Sequence, residues 1–484
     1  MQTKMQMKLH NIGIIKDSII DINGLTVIVG HNNSGKTTVG KALFSLLDSV
    51  SDLELKITAD KEKYIRQEIE NVKTRLMPLT ILGTEKINKF LKEYKSIKFL
   101  LFDDEFSKKL DLMDLNNLMD LLNRLLTGLY NLDTKKLSDL IFFNIPVVLE
   151  NRSENQIIKN MIEESINKIT QCIENLKIEN QFQKYTSEII NKTLNIEFSD
   201  QIQTFKYKQN ISKIKLSINN NNVFSLDLSN NRISNDFNYN TLLTKYNNVF
   251  FIDNPFILDE LNQVYKKSKH YSEALLCSDN IMKHAEKLKA IINKKSNDTI
   301  LEKLFRYESL KELQDDIDEV IPGEFQFTAK DGPLYVHGDQ KIKVPNLATG
   351  AKIFLILKIL LQKGLINENT MLILDEPEAH LHPSWQNKLA EVIVLIVKNL
   401  GTNILLTTHS SNFMLAIDAY MRKHDIISKV NFYQTQHDDE DKEMVTYQCC
   451  NNDLGIIYGD YLKYLSDVKN LRDKYLYNDL GDNN

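Results

Sequence analysis

Two short motifs have the residue types and the order that binding of a nucleoside triphosphate with magnesium requires. Residues 30–38 read Gly-His-Asn-Asn-Ser-Gly-Lys-Thr-Thr, and residues 371–377 read Met-Leu-Ile-Leu-Asp-Glu-Pro. The first motif fits G-x-x-x-x-G-K-T, a loop whose backbone N–H groups surround phosphates. The second is an apolar run that ends in two carboxylates, which suits magnesium binding and the activation of water.

The chemistry of these motifs predicts a role for each side chain. Lys36 would contact the β- and γ-phosphates, and Thr37 would bind Mg²⁺ together with Asp375. Glu376 would orient and deprotonate the attacking water. The predicted cofactors are therefore ATP and Mg²⁺. The predicted nucleotide-binding residues are Gly30, Asn32, Asn33, Ser34, Gly35, Lys36, Thr37 and Thr38.

The surrounding sequence predicts the elements that hold both motifs. Residues 25–29 are a short, β-branched run typical of a buried strand, and apolar residues recur at helical spacing after residue 38. The first motif would therefore join a strand to a helix, with the partial positive charge of the helix N-terminus near the phosphates. A glycine-rich turn with a chance Lys-Thr, or a strand that simply ends in solvated acids, is the plainer alternative for each motif taken alone.

Two further segments contain residues that could contact phosphate groups. An apolar run at 404–408 ends at His409, which could contact the γ-phosphate, although a lone histidine after a strand is more often structural. Residues 346–352 lead into an apolar helical run at 353–361, so that Gly350 could face another phosphate. An ordinary helix N-cap is the simpler interpretation of that segment by itself.

Taken in order, these motifs resemble the ABC-class ATPases, and within them the group around the SMC, RecF and OLD-family proteins. Residues 30–38 match the Walker A loop, and residues 372–376 match Walker B. Residues 347–352 match the signature motif, and residues 378–383 match a D-loop of the form E-x-H-L-H-P. His409 matches the switch histidine, so the resemblance gives Glu376, Lys36 and His409 as the catalytic residues.

The resemblance also implies a homodimer in which the signature of one subunit caps the ATP of the other. Its signature residues would be Leu347, Ala348, Thr349, Gly350 and Lys352. Ala348 stands where the family normally has a serine that contacts the γ-phosphate of the partner, which puts the efficiency of hydrolysis in doubt. The best-placed Q-loop residue in the sequence is Gln263.

Composition narrows the class of protein. The chain has 484 residues and a formal net charge of −5, so it has no general basic field that would attract nucleic acid. Its four cysteines show no metal-ligand spacing, which suits a reducing compartment. The sequence shows no secretory signal and no apolar run long enough to span a bilayer. We therefore expect a cytoplasmic protein with no membrane partner.

The predicted fold is an α/β P-loop NTPase with an ABC-type mixed sheet and a large, mostly helical insertion. The predicted divisions are an N-terminal part of the ATPase domain at 1–58, an insertion at 59–322 with a β-hairpin near 204–229, a C-terminal part of the ATPase domain at 323–436, and a hairpin with a helical tail at 437–484. Heptads in the insertion are too short for an SMC rod.

Three functions are compatible with these motifs. The resemblance favours an ATPase that acts as a dimer, either alone or within a larger assembly. It would regulate a separate effector, a nuclease or toxin, in a prokaryotic defence system against phage. We expect no nuclease activity of its own, because residues 410–484 offer no room for a Toprim domain. A DNA-maintenance ATPase of the RecF or SMC type is the alternative, and contact with nucleic acid stays open. The D-loop and the insertion argue against a transporter subunit.

Overall fold

A computed structural model provides the structure of the chain. It describes residues 4–77, 100, 103, 106–133, 152–177, 182–204, 210–219, 221–234, 246–261, 281–294, 310–328, 331–451 and 453–481. The Q-loop candidate Gln263 lies outside them.

The described elements comprise strands and helices that we number separately in chain order. The strands are β1 (Met5–Ile12), β2 (Ile15–Ile22), β3 (Leu25–Val29), β4 (Ser212–Ile218), β5 (Asn221–Ser229), β6 (Arg232–Ile233), β7 (Asn248–Ile252), β8 (Glu324–Thr328), β9 (Gly332–His337), β10 (Gln340–Lys343), β11 (Thr370–Asp375), β12 (Asn403–Thr408), β13 (Val430–His437) and β14 (Val445–Cys449). The helices are α1 (Lys36–Val50), α2 (Leu53–Leu76), α3 (Phe106–Asp111), α4 (Leu115–Asp133), α5 (Arg152–Lys177), α6 (Phe182–Phe198), α7 (His284–Asn293), α8 (Lys311–Val320), α9 (Thr349–Gln362), α10 (Pro383–Leu400), α11 (Ser411–Lys423) and α12 (Gly455–Gly481).

Contacts divide the described chain into two units, and the first contains the large sheet. Unit 1 comprises residues 1–52, 186–267 and 281–484. Its eleven described strands lie in the order β6-β5-β4-β1-β2-β14-β13-β3-β12-β11-β7. Neighbouring strands from β13 to β7 in this order are parallel. Their carboxyl ends therefore share one edge of the sheet, where ligands bind in open α/β folds.

The parallel strands are largely buried because helices cover both of their faces. β3 and β12 are buried at every position, and β11 is buried up to Leu374. On one face α1 packs against the sheet through Val39, Leu43 and Phe44. On the other face the buried side chains of α9, α10 and α11 form a second apolar core. A sheet buried on both faces loses the polar–apolar alternation of an exposed one, as the sequence indicated.

The predicted hairpin near 204–229 lies in the large sheet, which differs from its predicted place in the insertion. β4 and β5 form this hairpin, and β4 also pairs with β1, where Leu216 lies opposite Met7. The reason is the alternation of β4: Ile214, Leu216 and Ile218 are buried and continue the apolar face of β1. The antiparallel strands thus extend the parallel part into a mixed sheet.

Unit 2 comprises residues 53–185 and 268–280. Its described part is helical, and α2, α4 and α5 pack against one another around an apolar core of their own. Core residues come from each of the three helices, for example Ile69, Leu122 and Ile169. This unit begins at α2, six residues before the predicted boundary at 59, because apolar residues at helical spacing start at Leu53.

The remaining elements lie in unit 1. β8, β9 and β10 form a separate three-stranded sheet ahead of the signature segment. In α12, Tyr458 and Tyr461 pack against the core, whereas Leu465, Val468 and Leu471 are exposed. Across the described residues, no helix is both long enough and apolar enough to cross a membrane. The predicted α/β class, with a mixed sheet and a large helical insertion, is confirmed.

Candidate nucleotide site

The phosphate-loop motif lies between β3 and α1, at the carboxyl edge of the parallel strands. Asn33 and Gly35 have positive φ angles of 60° and 76°, so successive backbone N–H groups can turn toward an anion. Gly30 has no room for a side chain, because a Cβ there would lie 1.9 Å from Oγ1 of Thr435. Ser34 is buried and its hydroxyl donates to the carbonyl of His31 at 2.7 Å.

The other predicted loop residues follow the same geometry. Asn32 and Asn33 are exposed, and Thr38 donates its backbone N–H to the carbonyl of Gly35 at 3.0 Å. Gly13, in the turn between β1 and β2, faces Thr38, since a Cβ there would lie 3.2 Å from its Cγ2 atom. The loop is thus held from behind by the antiparallel strands, and its outer residues face solvent.

Lys36 is the buried cation of the site, with a side chain only 4% exposed. Its Nζ donates to the carbonyls of Gly30 at 2.9 Å and His31 at 2.7 Å. The same Nζ lies 3.2 Å from Oε1 of Glu376. The cation predicted to bind the phosphates and the carboxylate predicted to act on water therefore meet at one point.

Asp375 is fixed by two hydroxyl groups. Thr37 donates to Oδ2 of Asp375 at 2.6 Å, and Thr407 donates to Oδ1. Burial raises the pKa of Asp375; the hydrogen bonds from Thr37 and Thr407 oppose this rise, whereas the nearby charges of Glu376 and Asp253 add to it. A divalent cation beside Asp375 would stabilise its ionised form and offset its repulsion with Glu376 and Asp253.

Glu376 and His409 form the second contact of the site. Oε2 of Glu376 lies 3.1 Å from Nδ1 of His409, whose side chain is 44% exposed. The backbone of Glu376 has a φ of 50°, an unusual value for a non-glycine residue that marks a sharp turn after β11. Thr407 accepts a hydrogen bond from the backbone N–H of Glu376 at 3.1 Å and so stabilises this turn.

The residues present fit a magnesium ion. The fit rests on the donor set: the Thr37 hydroxyl and the Asp375 carboxylate are 2.6 Å apart, and both are the hard oxygen ligands that Mg²⁺ prefers. When bound with ATP, Mg²⁺ would neutralise phosphate charge. Thr37 and Asp375 would hold it, the latter through water.

The predicted signature residues lie around the N-terminus of α9. Ala348 is the N-cap residue and is exposed, whereas Leu347 and Thr349 are partly buried. Gly350 is buried, and a Cβ there would lie 2.6 Å from Cδ2 of Leu381 in the D-loop segment. Because Gly350 is buried, only Ala348 and Thr349 at the start of the helix could contact an anion.

Lys352 has surroundings that the sequence did not predict. Its side chain is 2% exposed, and its Nζ lies 2.7 Å from Oδ2 of Asp259, in a 3-10 helix at Pro255–Glu260. The same Nζ lies 5.0 Å from the ring centroid of Phe256. In this structure Lys352 joins two elements of its own chain and offers no surface to a partner subunit.

The histidines of the D-loop segment have structural surroundings. His382 is the N-cap residue of α10, where its Nδ1 accepts from the backbone N–H of Ser384 at 3.3 Å. His380 has a φ of 66° and lies against the ring of Phe256. Glu378 is buried and accepts a hydrogen bond from Thr408, so the segment is fixed to the end of β12.

Sequence reasoning missed three residues of this region. Thr407 contacts Asp375 and Glu376, Thr435 closes over Gly30, and Asp253 lies beside Asp375. Thr407 and Asp253 lie at the carboxyl ends of β12 and β7, whereas Thr435 lies inside β13. A systematic inspection of the carboxyl end of each predicted parallel strand would have found Thr407 and Asp253.

The fold and this site define a P-loop nucleotide-binding protein. A family model described as "AAA ATPase domain" matches residues 5–414, and the chain belongs to that family. No curated protein matches it in sequence.

Solved structures give only weak similarity. The SMC head domain from Thermotoga maritima is 10% identical with a TM-score of 0.33, and the match covers 93% of this chain and 99% of that one. The Smc head domain with a coiled coil and joint from Pyrococcus yayanosii is 10% identical with a TM-score of 0.34, covering 96% of this chain and 100% of that one.

Proposed function

We propose that the chain is a Mg²⁺-dependent ATPase that uses ATP to join two copies of itself and thereby regulates a separate effector protein. The observation that carries the ATPase proposal is the meeting of Lys36 with Glu376 at 3.2 Å, next to the pair of Thr37 and Asp375 at 2.6 Å. Phosphoryl transfer to water needs a cation for the phosphates, a carboxylate that can orient the water, and oxygen ligands for magnesium. Lys36 is the cation, Glu376 is the carboxylate, and Thr37 and Asp375 are the oxygen ligands.

The geometry suggests how hydrolysis would proceed. Lys36 would exchange its backbone carbonyl partners for phosphate oxygens, which leaves Glu376 free to contact water. The water oxygen attacks the γ-phosphorus, the bond from that phosphorus to the bridging oxygen breaks, and ADP leaves with the electron pair. Glu376 accepts the proton of the water, and His409, 3.1 Å from its Oε2, fixes the orientation of the carboxylate.

The signature segment supports the proposed homodimer. Ala348 is exposed at the start of α9, where unpaired N–H groups can contact an anion presented by another copy. Each chain carries both a phosphate loop and a signature, so a two-fold dimer would contain two equal sites. Lys352 would then act indirectly, by anchoring α9, and not by contacting the nucleotide.

The anti-phage role is supported by the resemblance of the motif order and the D-loop form. In this proposal the effector, a nuclease or toxin, is a separate protein that is held or released according to nucleotide state. A DNA-maintenance ATPase of the RecF or SMC type is the alternative. DNA that stimulates ATP hydrolysis by the purified chain would favour this alternative.

The test of the ATPase proposal is Lys36→Ala, with Lys341→Ala as the matched control. Lys341 is an exposed lysine in β10, so its loss removes the same charge without changing the site. ATP binding and Mg²⁺-dependent phosphate release should both be lost in Lys36→Ala and should be unchanged in Lys341→Ala. Phosphate release by Lys36→Ala at the parental rate would contradict the proposal.

A further inference from the structure

A third carboxylate lies beside the two of the Walker B motif. β7 and β11 are parallel neighbours, and Ile252 pairs with Leu374 in the last recorded step of their register. The next residues along the two strands are Asp253 and Asp375. Since adjacent strands are about 4.8 Å apart, the backbones of these two residues are close neighbours at the carboxyl edge.

Asp253 and Asp375 also belong to the same face of the sheet. Side chains alternate along a strand, so Asp253 shares the face of Phe251, and Asp375 shares that of Ile373. Both Phe251 and Ile373 contact α1, where a Cβ on Gly40 would lie 3.3 Å and 3.1 Å from them. This is the face on which Thr37 donates to Asp375. Consistent with that placement, the charge of Asp253 helps to raise the pKa of Asp375.

A buried histidine holds Asp253 in position. Nε2 of His284 lies 3.0 Å from Oδ2 of Asp253 in an ion pair, and its Nδ1 lies 2.6 Å from Oε2 of Glu197. The backbone N–H of His284 donates to the other oxygen of Glu197 at 2.7 Å. The ring of Phe251 lies 4.4 Å from the imidazole, centroid to centroid, which limits its rotation.

Exposure separates the three members of this network. The side chains of His284 and Glu197 are 2% and 0% exposed, whereas that of Asp253 is 34% exposed. Ionised groups are costly to bury unless every partner is in place. The buried side chains of His284 and Glu197 therefore orient Asp253, whose carboxylate is still partly exposed to solvent beside Asp375.

We propose that Asp253 is a further residue of the magnesium–nucleotide site and that His284 is its positioning residue. Asp253 would accept hydrogen bonds from water bound to the metal, next to the water held by Asp375. The proposal rests on the proposed ATPase function. A carboxylate in this position adds negative charge beside the metal. Removing it should therefore change the magnesium dependence of nucleotide binding more than nucleotide binding without magnesium.

The experiment measures binding of a fluorescent ATP analogue as a function of magnesium concentration. Asp253→Asn keeps the shape of the side chain and removes its charge. The magnesium concentration for half-maximal binding should rise about 10–100-fold, the range typical of losing a residue that supports a metal site. Binding in EDTA should stay unchanged. His284→Gln should shift the magnesium dependence in the same direction, because Asp253 loses its partner.

Glu286→Gln is the matched control, since Glu286 lies on α7 close to His284 but pairs with Lys289. It should keep the parental magnesium dependence. A merely structural role would instead lower the melting temperature and weaken binding equally with and without magnesium. That result, or an unchanged magnesium dependence in Asp253→Asn, would overturn the proposal. Failure of the ATPase proposal looks different, because the parental protein itself would then show no magnesium-dependent binding.

Discussion

Gly30 is the residue of the site with the least space around it. A Cβ at this position would lie 1.9 Å from Oγ1 and 3.0 Å from Cβ of Thr435. Gly30→Ala should therefore displace the loop and weaken ATP binding, because its backbone N–H groups would no longer be placed to surround the phosphates. Isothermal titration calorimetry would measure the change. Combining it with Thr435→Ala should recover part of the affinity, because Oγ1 is then gone.

Gly459→Ala supplies the control for this experiment. Gly459 lies in α12 with nothing within 4 Å of a Cβ, so alanine should leave ATP binding unchanged. Its effect should be a small gain in stability, up to about 1 kcal/mol from helix propensity. Equal ATP affinities for Gly30→Ala and Gly459→Ala would show that close packing at Gly30 does not shape the loop.

Individual residues differ in how well the sequence indicated their surroundings. Lys36, Thr37, Asp375 and Glu376 belong to motifs with fixed spacing, and the structure brings them together as expected. Lys352 was assigned from a motif as well, but its burial depends on Asp259, far away in sequence. Partners that folding brings together from distant segments carry no local signal.

Helix α9 begins without a side-chain hydrogen bond at its N-cap position. Ala348 is its N-cap residue and provides no side-chain hydrogen bond. Ala348→Ser should supply one and stabilise the protein by about 0.5–2 kcal/mol. Thermal unfolding would measure the gain, with Ala348→Val as a control that cannot cap. Equal melting temperatures for the two variants would contradict this account of the helix start.

The sequence predicted strands correctly where apolar runs are clear. It did not predict the sheet to which a strand belongs, because that depends on pairing with distant strands. The strands at 25–29, 371–375 and 404–408 are apolar runs flanked by motif residues, and each is a strand in the structure. The hairpin β4–β5 was recognised as a hairpin but placed in the insertion. Its alternating pattern fits any half-buried sheet, and only the pairing of β4 with β1 decides which one.

The proposed dimer makes a prediction for the whole molecule. Ala348→Glu places a negative charge at an exposed position that would face the phosphates of a partner copy, so it should block hydrolysis while each monomer still binds ATP. Lys36→Ala blocks ATP binding in its own loop. Mixed dimers of the two variants would contain one site with an intact loop and an intact signature. Phosphate release should therefore exceed that of either variant alone.

The control for this mixing experiment is a demonstration that mixed dimers form. Differently tagged chains should be co-purified in the presence of ATP before turnover is measured. If mixed dimers are recovered and their turnover does not exceed that of the separate variants, sites shared between two copies are ruled out. The ATPase proposal itself would survive, with both halves of each site supplied by one chain.

The central claim is that Glu376 removes a proton from water while Lys36 and Thr37 hold the nucleotide. Its most direct test is the decay of bound, γ-labelled ATP in Glu376→Gln, with Glu324→Gln as the control for an exposed glutamate. We expect Glu376→Gln to bind ATP as the parent does and to hydrolyse it about 10²–10⁴-fold more slowly, the cost of losing a general base. Decay within a few-fold of the parental rate, at equal occupancy, would contradict the account.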